Sequence, residues 1–425
     1  MRNWIPTYLI VLVFIAMLTA CTSDNGATIT GKVTDSAGNP LDHATVLVYY
    51  AGVKNGYSTY CPGCYADCGK RTLTNEAGVF TIENLSPDLW FTLLVVRDGY
   101  FSELVKQVDP LEGPAPAAIL KMRQPVKDAD RVVRGSVVDS HGRSIQDAIV
   151  NPKGILFNDE TRGRITIYGG ISGLDRIAVT NEAGEFEVSY DRPALEVLII
   201  VEARGYAPKL FNHLQTGMER HVLTIGDGAT LRGRLVENGK PAANAQMGLI
   251  PRQRGMGGGL ELFGAPYDEI RIGTQEDGTF VFTNVPIPVE FYVYGKMESI
   301  SERGATEPME CATNMDGEDV NVGDIEINPG FRLRGKVALS DGKSIPEGMR
   351  VSISADRAWD SQTVFLQPDG GFEFSGLAAE KYQVFASVKG YRAPQWDYKM
   401  KTDRPGTVQV ERDIDDFVLV LDPVK

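Results

Sequence analysis

Helical signals are almost absent from this 425-residue chain: no long stretch sets apolar residues at the helical period between good caps. Basic charge is short too, with 43 Lys and Arg against 56 Asp and Glu, a formal net charge of −13 and no Lys/Arg run. Without a basic field to draw phosphates in, nucleic acid is excluded as an electrostatic partner. Histidine is scarce, and His43, His141, His213 and His221 form neither H-x-x-E nor H-E-x-x-H, so no zinc-hydrolase ligand set is assembled. His43 and His141 fall in hairpin turns and read as exposed turn residues. There is no G-x-S-x-G elbow. The glycine cluster at 252–264 lacks the Lys-Ser/Thr and helix start of a phosphate cradle, and reads as a hairpin excursion exposing Met256, Leu260 and Phe263. No enzyme and no cofactor are expected.

One apolar run stands out, at residues 8–18 behind Arg2, too short to span a bilayer but suited to a secretory leader. Its ending, Leu18-Thr19-Ala20-Cys21, resembles the bacterial lipobox. That resemblance implies a leader at 1–20, lipidation of Cys21, a tether at 21–26 and membrane attachment through the lipid anchor. Thr22 in place of Asp favours the outer membrane over the inner, within an expected cell-envelope location.

The rest repeats. ITGKV, VRGSV, LRGRL and LRGKV place Gly31, Gly135, Gly233 and Gly335 about a hundred residues apart. Each is followed by a Gly- or Pro-bearing turn and a second apolar stretch, which reads as strand, hairpin loop, strand. TNEAGVF, TNEAGEF, TQEDGTF and QPDGGF then put a turn glycine before a phenylalanine. A closing strand follows, ending in LLVVRDGY, IIVEARGY, YVYGK and ASVKGY. Short alternating strands with Gly-rich turns predict an all-β fold of about four tandem antiparallel sandwiches, at 27–123, 131–225, 228–327 and 330–422. In the first, Val33, Val46, Val48, Phe80, Ile82, Leu94 and Val96 are expected to face inward.

Gly31, Val33, Asp35, Gly38, Pro40, Ala44, Val46, Thr74, Gly78, Phe80, Gly99 and Tyr100 together resemble the carboxypeptidase regulatory-like domain. Gly135, Val137, Asp139, Gly142, Ala148, Val150, Thr180, Gly184, Phe186, Gly205 and Tyr206 repeat the match, and the last two units carry it more loosely. The resemblance implies a transthyretin-like sandwich of about seven strands, grouped with carbohydrate-binding-like folds. It specifies a fold rather than a reaction. A related sandwich, the collagen-adhesin repeat, carries a Lys-Asn isopeptide bond; its Glu-bearing strand before a P-x-G-Y ending is absent, so that bond is not expected.

The cysteines leave alternatives open. Cys61, Cys64, Cys68 and Cys311 permit three complete pairings, and a secreted compartment favours a local disulfide among the first three. Zinc would need Cys61, Cys64 and Cys68 with Cys311, Asp67 or His43, but the paired C-x2-C arrangement is missing. A redox centre would need a helix start that the surroundings lack. Glu182 and Glu276, at the recurring turn, offer one carboxylate each where Ca²⁺ takes six to eight oxygens. The loop around the cysteines carries Tyr57, Tyr60 and Tyr65, beyond Tyr49 and Tyr50, and is the expected contact surface. The function that follows is non-catalytic binding or adhesion toward polysaccharide, peptide or an envelope protein. The alternatives are a structural spacer or assembly component and, more remotely, a hydrolase accessory protein.

Overall fold

The computed structural model describes residues 26–54, 70–123, 126, 128–175, 177–252, 269–358, 360–394 and 403–424. Strands dominate it and form tandem β-sandwiches. In the first unit a small sheet orders Val79–Leu85, Ala27–Asp35 and Ala118–Leu120, facing a larger one of Arg71–Leu73, Thr45–Val53, Leu89–Val96 and Glu103–Val108. The second unit repeats the plan with Val132–Val138 central in its small sheet; in the third and fourth, Ala229–Glu237 and Phe331–Leu339 hold the same place in sheets of four strands that face sheets of four. No helix among the described residues is long and apolar enough to cross a membrane.

Each central strand is the first of its unit. It pairs antiparallel with the phenylalanine-bearing strand and parallel with the unit's last strand, as in Val33↔Ala118, Val137↔Leu223, Leu235↔Ile325 and Val337↔Leu419. Parallel neighbours need a long crossover, here through the other sheet, so a reading of adjacent hairpins does not show them.

The repeated glycines acquire a reason. Gly31, Gly135, Gly233 and Gly335 sit directly across from Phe80, Phe186, Phe280 and Phe372. Each ring lies over its glycine: a Cβ added at Gly31 would come 2.4 Å from Phe80 Cζ, and one at Gly233 2.6 Å from Phe280 Cζ. The flat ring covers backbone that has no side chain, a known way of repairing glycine in a strand. The turn glycines Gly78, Gly184, Gly278 and Gly370 have positive φ and pass their carbonyls to the N–H groups of Val33, Val137, Leu235 and Val337 at 2.8–2.9 Å. Thr74 and Thr180 are buried beside these turns; each hydroxyl accepts from the N–H of Ala44 or Ala148 and donates to the carbonyl of Leu41 or Ile145.

Separate cores fill the units, from Ile29, Phe80 and Phe91 in the first to Leu333, Phe374 and Tyr382 in the fourth. The closing strand of the first unit corrects the expected register. Leu89, Phe91, Leu93 and Val95 face its core, while Leu94 is buried outside that cluster and Val96 is half-buried. The run LLVV is apolar on both parities, so alternation alone does not say which set points inward.

Candidate functional site: an aromatic sheet face and the unit junctions

The fourth unit turns the outer face of one of its two four-stranded sheets to solvent. That sheet orders Ser361–Phe365, Arg350–Ala355, Glu380–Ser387 and Thr407–Val410. Val351, Ile353, Tyr382 and Val384 point into the core, so their alternate neighbours point out. Two of these are phenylalanines: Phe365 is 62% exposed and Phe385 50%. They flank the strand Arg350–Ala355, Phe365 opposite Arg350 and Phe385 opposite Ser352, so two strand spacings and an offset of two residues set their Cα atoms roughly 12 Å apart. Arg350 stacks on Phe365, 4.7 Å from the ring centroid. Around the rings lie Ser352 and Thr363, hydroxyls 2.7 Å apart, and Gln383, which bonds Thr407 at 3.0 Å. In a chain of net charge −13, the strand residues on this face carry Arg350 and Lys381 and no carboxylate.

The expected sites fall elsewhere. Cys21, Cys61, Cys64, Cys68, Asp67, Tyr57, Tyr60, Tyr65 and the 253–264 part of the glycine cluster lie outside the described residues. Cys311 is a free, half-buried thiol on Met309–Thr313, and burial pushes its pKa up to about 12, so it stays protonated. Tyr50 is 52% exposed and packs on Trp90 with centroids 5.4 Å apart, while Tyr49 accepts from Asn151 of the second unit at 3.4 Å. His43, His141, Glu182 and Glu276 are exposed. Among the described residues no three His, Cys, Asp or Glu come together as a metal site.

Between the first two units opens a cleft of about 350 Å³ whose lining includes Arg97, Tyr100, Phe101, Arg123, Asp175 and Glu187. Arg123 spans it, donating to Asp175 at 2.7 Å and to Ser189 and the Glu187 carbonyl at 3.2 Å. Burial pushes the Asp175 carboxyl above the usual range, against the pull of Arg123. The other lining arginines are also paired, Arg97 with Asp42, Arg134 with Glu187 and Arg220 with Glu185, so the cleft reads as a joint.

The junction of the third and fourth units is drier. Val289–Gly295 does not end in a Gly-aromatic turn but runs through Lys296 into the helical turn Met297–Ile300. Met297 packs into the fourth core and Ile300 into the third. Lys296 and Asp360 are each 4% exposed. Lys296 Nζ contacts Asp360 Oδ1 and donates to Glu269 Oε1 at 2.8 Å. Asp360 Oδ2 accepts from the Met297 N–H at 2.6 Å, and Oδ1 from the Ser361 N–H at 2.9 Å. Glu269 also accepts from Arg271 Nε at 2.5 Å and from the Tyr294 hydroxyl. Burial pushes Asp360 above the usual carboxylate range despite Lys296. It pushes Glu269 the same way, but Lys296 and Arg271 together outweigh it and hold that carboxyl low.

Residues 329–414 match the family model of the second β-sandwich domain of a NOMO1-like BOS complex subunit. No curated protein matches the chain. Among solved structures, the Bacillus anthracis TIE protein aligns over 95% of this chain and 75% of its own at 9% identity and TM-score 0.19. A Streptococcal ancillary pilin aligns over 69% and 99% at 11% identity and TM-score 0.21. The minor pilin GBS52 of Streptococcus agalactiae aligns over 46% and 97% at 13% identity and TM-score 0.23.

Phe365 and Phe385 escaped the sequence reading, yet they leave a signal. Val364-Phe365 and Val384-Phe385 put two apolar residues side by side in alternating strands, so one of each pair must face out. Lys296 and Asp360 leave none, because only the packing of two units brings them together.

Proposed function

We propose that this chain is a lipid-anchored, non-catalytic protein of the cell envelope that holds polysaccharide on the aromatic sheet face of its fourth unit. The observation that carries the reading is the pairing of exposed Phe365 and Phe385 on a flat face otherwise made of hydroxyl, amide and cationic side chains. Rings spaced in this way suit the apolar faces of successive sugars, and the Ser, Thr and Gln groups between them suit sugar hydroxyls. The lipobox-like ending at Cys21 supports the anchor, and the resemblance to carboxypeptidase regulatory-like sandwiches supports binding without a reaction.

The test is affinity electrophoresis of the full chain through gels holding individual polysaccharides. Retention by at least one of them, weakened about tenfold in Phe365→Ala/Phe385→Ala, is expected. Retention that ignores both substitutions, or none on any glycan, refutes the assignment. A spacer is the second reading, favoured by the pinned junction at Lys296 and Asp360. Recovery of an envelope protein complex with no glycan retention would select it.

A further inference from the structure

We infer that the sugar chain held on the fourth-unit face is acidic, and that Arg350 takes a uronate carboxylate between the two phenylalanine rings. This rests on the polysaccharide function proposed for the face and narrows it to one chemical class. Strand register puts Arg350 at the centre. It lies directly across from Phe365 on one side and from exposed Ser387 on the other, and diagonally from Phe385, whose own partner is Ser352. Diagonal neighbours on antiparallel strands are about 7–8 Å apart, so a chain that touches both rings crosses this guanidinium.

Arg350 also differs from its neighbours in what it is bonded to. Arg334 is paired with Glu373, Arg357 with Glu380, and Lys381, farther along the same face, with Asp403 at 2.9 Å. Arg350 is exposed, sits 4.7 Å from the Phe365 centroid and forms no ion pair among the described residues, with Glu347, three positions before it, no exception. Packing on a ring occupies a face of the guanidinium and leaves its in-plane N–H donors, the fork that a carboxylate fits with both oxygens. No outward strand residue of this sheet is a carboxylate, so nothing on the strands competes for the fork or repels an acidic sugar. A uronate brings one negative charge, which matches the one cation left unpaired on these strands. The rest of the chain, at a net charge of −13, repels an acidic polymer, so retention of one needs a local cation of this kind.

Affinity electrophoresis of the full chain tests it on polygalacturonate, alginate and hyaluronan, each beside the same polymer with its carboxylates reduced to hydroxymethyl groups. At least one polyuronate is expected to hold the chain about tenfold more tightly than its reduced form. Arg350→Gln, checked for folding by circular dichroism, should lose that difference and keep the weaker retention on the reduced polymer. Phe365→Ala/Phe385→Ala should weaken retention on both. Equal retention on every polyuronate and its reduced form overturns the inference and leaves polysaccharide binding standing. An Arg350→Gln chain that keeps the full preference overturns it too, as does dextran sulfate held as tightly as the polyuronate, which marks plain charge attraction. Retention on no polymer, native or reduced, refutes the polysaccharide function along with it.

Discussion

The glycine-phenylalanine pair of the first unit allows a quantitative test. An alanine Cβ at position 31 would lie 2.4 Å from Phe80 Cζ and 2.6 Å from Cε1, and the next atom, Ala115 Cβ, is 3.3 Å away. The conflict is thus with one ring, and Phe80, 2% exposed, has little room to move. Overpacking costs about 1–3 kcal/mol, and alanine regains about 0.5–1 kcal/mol over glycine within a strand, so Gly31→Ala should lose up to about 2.5 kcal/mol. Phe80→Ala alone should lose about 3–5 kcal/mol. In the double variant the new methyl meets no ring, so the loss should fall short of the sum by about 1–3 kcal/mol. Separate units blur a global melting curve, so the assay is native-state hydrogen exchange on the paired strands Ala27–Asp35 and Val79–Leu85. Additivity within about 0.5 kcal/mol would show that the ring and the glycine are not coupled.

Two further predictions concern the junctions. Met297→Ala withdraws a side chain 7% exposed from the fourth core and should cost that unit about 2–5 kcal/mol, read as earlier exchange of Phe331–Leu339 with the first unit unchanged. Asp175 has its pKa raised above 3.8 by burial, so the folded chain holds that proton more tightly than the unfolded one. Its contribution is complete below about pH 3.8 and is withdrawn as pH rises through the folded value; Asp175→Asn should flatten that part of the stability-pH curve, measured by urea unfolding.

Much of the fold was legible because each unit repeats the same local grammar. A glycine that must lie under a ring, a turn glycine of positive φ and a phenylalanine two residues on are short-range requirements, and they recur at Gly31, Gly78 and Phe80 and their counterparts. What joins distant segments was not legible. The parallel pairing of Val33 with Ala118 depends on a whole circuit of the sandwich, and the meeting of Lys296 with Asp360 on the packing of two units. The LLVV strand shows a third limit: where both faces are apolar, period-2 reading loses its phase. The aromatic face was within reach, since Val384 beside Phe385 already forces a large side chain outward.

The parallel union of first and last strands has a mechanical consequence. The chain enters each sandwich at one end of this pair and leaves at the other, so a pull on the two ends of a unit drags the two strands lengthwise past each other. Under tension along the chain their hydrogen bonds, from Thr230↔Asp319 to Glu237↔Ile327 in the third unit and Leu333↔Ile414 to Leu339↔Leu421 in the fourth, resist together instead of unzipping in turn. The three-residue pair Val33–Asp35 with Ala118–Leu120 in the first unit shares such a load over fewer bonds, which makes that unit the first to give under force.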